Sequence, residues 1–298
     1  MSNQWMNAQV ELVCDSHSSL GEGPLWDRRY GRLYWVDIYG HKIHSFDPRQ
    51  PGRYETIEAG PFVSSIVPRA SGGFAVTLED GFYGYDPEAR TLVPIASVEA
   101  DLSGNRFNDG KCDPSGRYIA GTMSRTDEPA RGSLYSLGSD GTVNKLLGAV
   151  GCSNGLAWSA DGKTMYYVDS SRPEISAFDY DASSGQISGR RAAAAIPAED
   201  STPDGMTIDA EGMLWLAHWR GWKVTRWDPS TGTKLGEIPV PVERVTSVAF
   251  GGERLDELYI TTASIDVAPE QAADQPHAGG LFRVKAGVRG TAPFSFSG

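Results

Sequence analysis

A chain of 298 residues has room for two ordinary domains or for one large all-β or α/β domain, and its 40% hydrophobic and 22% charged residues are enough to build a sizeable core. A net charge of −11, with no run of basic residues longer than Arg190-Arg191, argues against nucleic acid as a partner. No stretch approaches the ~18 consecutive apolar residues of a membrane span, and Met1 to Gln9 lack a basic segment followed by an apolar one.

The expectation is therefore a cytoplasmic protein with no membrane association, a monomer or a weak homo-oligomer. Cys14, Cys112 and Cys152 are odd in number and lack a Cys-x-x-Cys spacing, so they read as ordinary buried thiols rather than a disulfide framework or a zinc site. Glycine (35) and proline (18) are spread along the whole chain among 8 Trp and 12 Tyr, which implies frequent turns between aromatic strands.

Taken in chain order, one unit recurs. A turn followed by an alternating apolar strand appears as Asp27-Arg-Arg-Tyr-Gly31-Arg-Leu-Tyr-Trp-Val-Asp37. It returns around Gly73, Gly116, Gly162, Gly212 and Arg254, at spacings of 42 to 50 residues. A further strand follows each copy, as in Lys42-Ile-His-Ser-Phe-Asp-Pro48 and Lys223-Val-Thr-Arg-Trp-Asp-Pro229, and Asp-Pro ends several of them as turns. With one strand before the turn and one after the Asp-Pro, each unit holds four strands. Six such units predict an all-β fold, a six-bladed β-propeller of four antiparallel strands per blade, spanning 1–298 as one domain. The segment Gln9-Val-Glu-Leu-Val13 precedes the first unit. It is predicted to complete the last blade, because an open ring would expose strand edges. A WD-repeat scaffold is the main competitor, but the recurring Trp-Asp strand ending is missing.

The first strand of each propeller blade lines the axis, so equivalent positions near its start converge. Counting back from the turns gives Glu22, Ser64, Asn108, Asn154, Asp204 and Thr246, all polar. Glycine flanks or closely follows four of them, and the set contains no Cys or His. Such oxygen donors favour Ca²⁺, Mg²⁺ or Mn²⁺, with Zn²⁺ possible. The strands that return to this end predict a rim at Trp35 to Tyr39, Gly121 to Thr126, Asp169 to Arg172 and His218 to Trp222. His218 is the only histidine at the rim, since His17, His41, His44 and His277 read as surface or turn residues. Trp219 and Trp222 are candidate flat faces for a sugar ring, with packing as the plainer role.

Gly21-Glu-Gly-Pro-Leu-Trp26, Arg106-Phe-Asn-Asp-Gly-Lys111, Ser153-Asn-Gly-Leu-Ala-Trp158 and Pro203-Asp-Gly-Met206 resemble motifs of the gluconolactonase/regucalcin family, in order and spacing from about Glu11 to about Val284. The resemblance implies one divalent metal ion held by Glu22, Asn154 and Asp204. It also implies hydrolysis of aldonolactones to aldonic acids, with Arg106 and Asn108 contacting the sugar hydroxyls. After Gly121-Thr-Met123 this chain carries Ser124-Arg-Thr126, so the family's acidic substrate contact falls at Thr126. Arg125 opens the substrate range to an anionic or differently hydroxylated lactone.

Lactone hydrolysis needs an activated water and a stabilised oxyanion, and one metal serves both. Asp204 is the candidate for both ligand and general base, with Asp109 in reserve. Two other functions share the fold: an organophosphate or aryl-ester hydrolase and a calcium-binding regulator without turnover.

Overall fold

The computed structural model describes residues 8–298; most of the segment Met1 to Gln9, read above as lacking a leader, lies outside them. Six antiparallel sheets of four strands make up the molecule. Residues 21–58, 65–97, 105–150, 153–195 and 202–239 form blades one to five, each with its strands paired in chain order. Blade six takes its three inner strands from residues 245–285 and its outer strand from Glu11–Cys14. The closing strand pairs Glu11 with Arg283 and Leu12 with Phe282, and the Arg283 guanidinium holds Glu11 Oε2 at 2.8 Å. It begins two residues later than the sequence suggested and closes the ring as expected.

The six inner strands are Gly21–Asp27, Ser65–Pro68, Asn105–Cys112, Ser153–Trp158, Thr202–Ile208 and Val245–Gly251. Each packs against its neighbours around the axis, the last against the first. Blades cover one another on both faces, which explains the continuous apolar run of a second strand such as Arg32–Asp37, buried from Leu33 onward. Outer strands face water and are mostly exposed, as in Thr91–Ser97. The turn glycines that mark the repeat adopt left-handed backbone, with φ of +62° at Gly31 and +82° at Gly212, a conformation that glycine reaches without strain.

Two features depart from the sequence reading. His44 is a core residue rather than a surface or turn one: it is buried on Lys42–Phe46, with Nδ1 2.9 Å from Thr56 Oγ1. The residues after Lys285, which carried no expectation, form a strap across one mouth of the channel. Gly290 bridges Asp209 in blade five, and its N–H donates to Leu255 O. Phe296 then bridges Arg69 in blade two, on the far side of the ring, and Ser297 N–H donates to Gly116 O. Phe296 is buried beside Tyr118. Among the described residues no helix is long and apolar enough to cross a membrane.

Candidate active site

The six axial positions inferred from the repeat are all buried, from Thr246 at 0% exposure to Asn108 at 6%. In five blades the pairing of inner and second strands slips at these residues: between Glu22 and Leu25, Phe107 and Gly110, Ser153 and Leu156, Pro203 and Met206, and Val245 and Ser247. A bulge re-aims a side chain, and each of these falls at one of the polar axial positions. Blade two pairs without a slip, and its Ser64 contributes only a short hydroxyl, bonded to Thr77 Oγ1 at 2.8 Å.

Aspartates that end the second strands hold the entry to the inner ones. Asp37 accepts from the N–H groups of Ser19, Leu20 and Gly40, each at 2.9 Å, which fixes the chain just before Glu22. Asp169 accepts from Cys152 N–H at 3.1 Å and Gly151 N–H at 3.2 Å, which does the same before Asn154. The rim expected at these two aspartates is thus a backbone clamp. Gly155 then lets blade five close in, since a Cβ there would meet Asp204 O and Met206 N, each at 2.9 Å.

Glu22, Asp109 and Asp204 are buried here together with Arg106, within reach of the Lys111 charge. Burial first, then the charge of Asp109, push the Glu22 carboxyl up to about 8. Asp204 is raised well above the usual range by burial and by Glu22 and Asp109. Burial also raises Asp109, against the pull of Lys111 and of the Gly110 N–H. Among the described residues no three His, Cys, Asp or Glu side chains form a metal-holding group, so Asp109 does not complete a three-carboxylate cage. Beside the carboxylates lies the Asn154 amide, which acts against the rise at Asp204. Its Oδ1 and Asp204 Oδ1 are buried without a hydrogen-bond partner, while Asn154 Nδ2 donates to Ser170 Oγ at 2.8 Å. Two crowded carboxylates and two unmatched buried oxygens suit a hard divalent cation.

Arg106, 2% exposed, donates through Nη1 to Phe107 O at 2.8 Å and Asn108 Oδ1 at 2.7 Å. Asn108 Nδ2 donates to Ser153 O at 2.8 Å. The Asn108 amide is thereby committed to protein partners, whereas Arg106 Nε has none. The guanidinium carbon also lies 5.5 Å from the centre of the Tyr39 ring, a rim residue.

Of the other sequence-inferred residues, some are exposed as a rim requires and others are buried or paired. Thr126 is exposed on the loop after Tyr118–Ser124, with its Oγ1 3.2 Å from Ser124 Oγ and 3.3 Å from Glu128 Oε1. Arg125 is paired with Glu79 and lies over the Phe62 ring, so its charge is already matched. His218 is no rim group: it is fully buried, with Nε2 2.7 Å from Thr225 Oγ1. Trp219 is half-buried under the Arg244 guanidinium, and Trp222 is 40% exposed.

Two site residues were missed. Half-buried Cys152 has its sulfur 3.7 Å from both Asn108 Nδ2 and Asn154 Nδ2. Its place two residues before Asn154 was the available signal. Lys111, three residues beyond Asn108, donates to Met206 O.

The chain is similar to known proteins along nearly its whole length. The family described as "SMP-30/Gluconolactonase/LRE-like region" matches residues 20–264. The chain is 42% identical to human regucalcin over 296 residues, covering 97% of this chain and 99% of that protein. It is 41% identical over 287 residues to the putative sugar lactone lactonase YvrE of Bacillus subtilis, covering 96% and 98%. Among solved structures, a luciferin-regenerating enzyme superposes with a TM-score of 0.91 at 35% identity, over 98% of this chain and 100% of that one. A calcium-binding protein, regucalcin, from Agrobacterium tumefaciens gives 0.92 at 28%, over 97% of both chains. The chain belongs to the SMP-30/gluconolactonase family.

Proposed function

We propose that the protein is a metal-dependent lactonase that opens a sugar lactone to its aldonic acid. The observation that carries this reading is the convergence of Glu22, Asn154 and Asp204 at one end of the axis, with unmatched buried oxygens on two of them. Glu22, Asn154 and Asp204 would hold a divalent cation, which would supply a Lewis acid for the lactone carbonyl and lower the pKa of a water. Calcium is the favoured ion, from the all-oxygen donor set and from the calcium-binding relative of known structure.

The residues then divide the work. Asp204 takes a proton from the attacking water as its oxygen adds to the carbonyl carbon. The ring C–O bond breaks, and the same proton passes to the departing ring oxygen, leaving a hydroxy acid. Arg106 presents its unmatched Nε–H to a ring hydroxyl, and Asn108 acts mainly by fixing the guanidinium. Asp109 is the reserve base. Tyr39 and Thr126 bound the entrance, where Thr126 stands in the place of an acidic contact.

The test is a substrate panel on the calcium-loaded protein: several aldonolactones, an aryl ester and a fluorophosphate, with spontaneous lactone opening subtracted. Preference for the aldonolactones is expected. Preference for either of the others would assign a different hydrolase, and tight calcium binding without turnover would leave a regulator.

A further inference from the structure

A cavity of 570 Å³ lies at the opposite mouth of the channel. Three positions beyond the axial oxygen donors, each inner strand offers one more axial residue: Leu25, Val67, Lys111, Ala157, Thr207 and Ala249. All six line this cavity. Its outer walls carry Trp26, Trp158 and Phe250, and the strap described above roofs it through Thr291 to Phe294. The volume suits a small organic molecule, and the wall is dominated by aromatic and aliphatic carbon.

Among the polar groups on that wall, three have unused capacity. Asp109, 3% exposed, bonds the Gly110 N–H through Oδ1, while Oδ2 has no partner. Lys111 spends one of its three N–H donors on Met206 O. Trp158, 6% exposed, has an indole N–H without a partner. A neutral hydroxyl matches the first two at once: it accepts from the Lys111 ammonium and donates to Asp109 Oδ2. A carboxylate would meet Asp109 as a like charge, and a plain hydrocarbon would leave both groups unmatched at a cost.

We propose that this cavity is a second ligand site, opening at the opposite mouth and meeting the lactone pocket at Asp109 and Lys111, for a phenol-type molecule: a flat apolar body among the aromatic walls with its hydroxyl on Lys111 and Asp109. The proposal does not depend on which reaction the metal end performs.

The probe is 2-naphthol, titrated by fluorescence and calorimetry into the calcium-loaded protein, with naphthalene and 2-naphthoate as controls. One saturable site is expected, with both controls at least about tenfold weaker. Ala249→Phe should fill the cavity beside Lys111 and weaken 2-naphthol about tenfold while lactone turnover stays at the parent level. Phe294, 43% exposed, offers a milder variant. Phe294→Ala should weaken binding severalfold without changing thermal unfolding, which keeps the test open if Ala249→Phe fails to fold. Naphthalene binding as tightly as 2-naphthol would overturn the head-group assignment. Displacement of 2-naphthol by an aldonolactone would place the probe in the lactone pocket and overturn the second site, and so would full affinity in both variants.

Discussion

The Asn154 side-chain amide donates to Ser170 Oγ at 2.8 Å, and Ser170 Oγ in turn donates to Pro203 O at 2.7 Å. This relay joins two blades and fixes which way the amide faces, with its nitrogen spent on the protein and Oδ1 buried without a partner, as the proposed ion site requires. Removing the hydroxyl frees the amide to rotate. Outer partners of metal ligands are typically worth 10–100-fold in affinity, so Ser170→Ala should raise the calcium Kd by about tenfold or more, measured by calorimetry. Glu22 and Asp204 remain in place, so secondary structure should not change. Unaltered affinity would show that the relay does not position Asn154.

The buried carboxyls also set how metal-free stability depends on pH. Glu22 has its folded pKa raised from 4.5 to about 8, and Asp204 shifts in the same direction. The folded state thus binds more protons than the unfolded chain, and this stabilisation is complete below about 4.5 and lost as pH rises toward 8. Thermal unfolding of the chelated protein should fall in midpoint across that window. Calcium at a hundredfold excess over its Kd adds about 2.7 kcal/mol and should flatten the decline. A chelated midpoint that rises from pH 5 to pH 8 would contradict the buried-carboxyl account.

Blades four and five approach closely at Gly155, beside the site. A Cβ there would sit 2.6 Å from Met206 Cβ and 2.9 Å from backbone atoms of Asp204 and Met206. Backbone cannot swing aside as a side chain can. Gly155→Ala should therefore cost about 1–3 kcal/mol in urea unfolding and displace Asp204 enough to reduce turnover.

Cys152 sits among the site residues, yet burial foremost, and then the charge of Asp204, pushes its thiol up to about 12. Nucleophilicity belongs to the thiolate. Iodoacetamide at pH 8 should label Cys152 in the native protein far more slowly than in the urea-unfolded chain. Equal rates would place the thiol in open solvent.

The sequence shows the ring because turn glycines and Asp-Pro stops repeat with little variation, and register then places Glu22, Asn154 and Asp204 near the axis without further information. It misleads where position along a strand does not reveal depth. His218 has the right register for the rim yet is buried against Thr225, and His44 looks like a turn residue but packs in the core. Arg125 looks like a free cation, but its partner Glu79 lies one blade away, beyond any local pattern. The strap of residues 286–298 belongs to no repeat, so its path from blade five to blade two depends on tertiary contacts alone.

In the proposed function an ion at Glu22, Asn154 and Asp204 and proton transfer at Asp204 together drive lactone opening. The direct test is pH-stat turnover of an aldonolactone by chelated protein as calcium is restored, run beside Asp204→Asn and Glu22→Gln. Activity should return in the parent with one equivalent of metal and stay down by about 10²–10⁴-fold or more in Asp204→Asn, the range of a lost general base, with Glu22→Gln similarly impaired. All three should give the same circular dichroism. Near-parental turnover in either folded variant, or full activity in the chelated parent, would contradict the account.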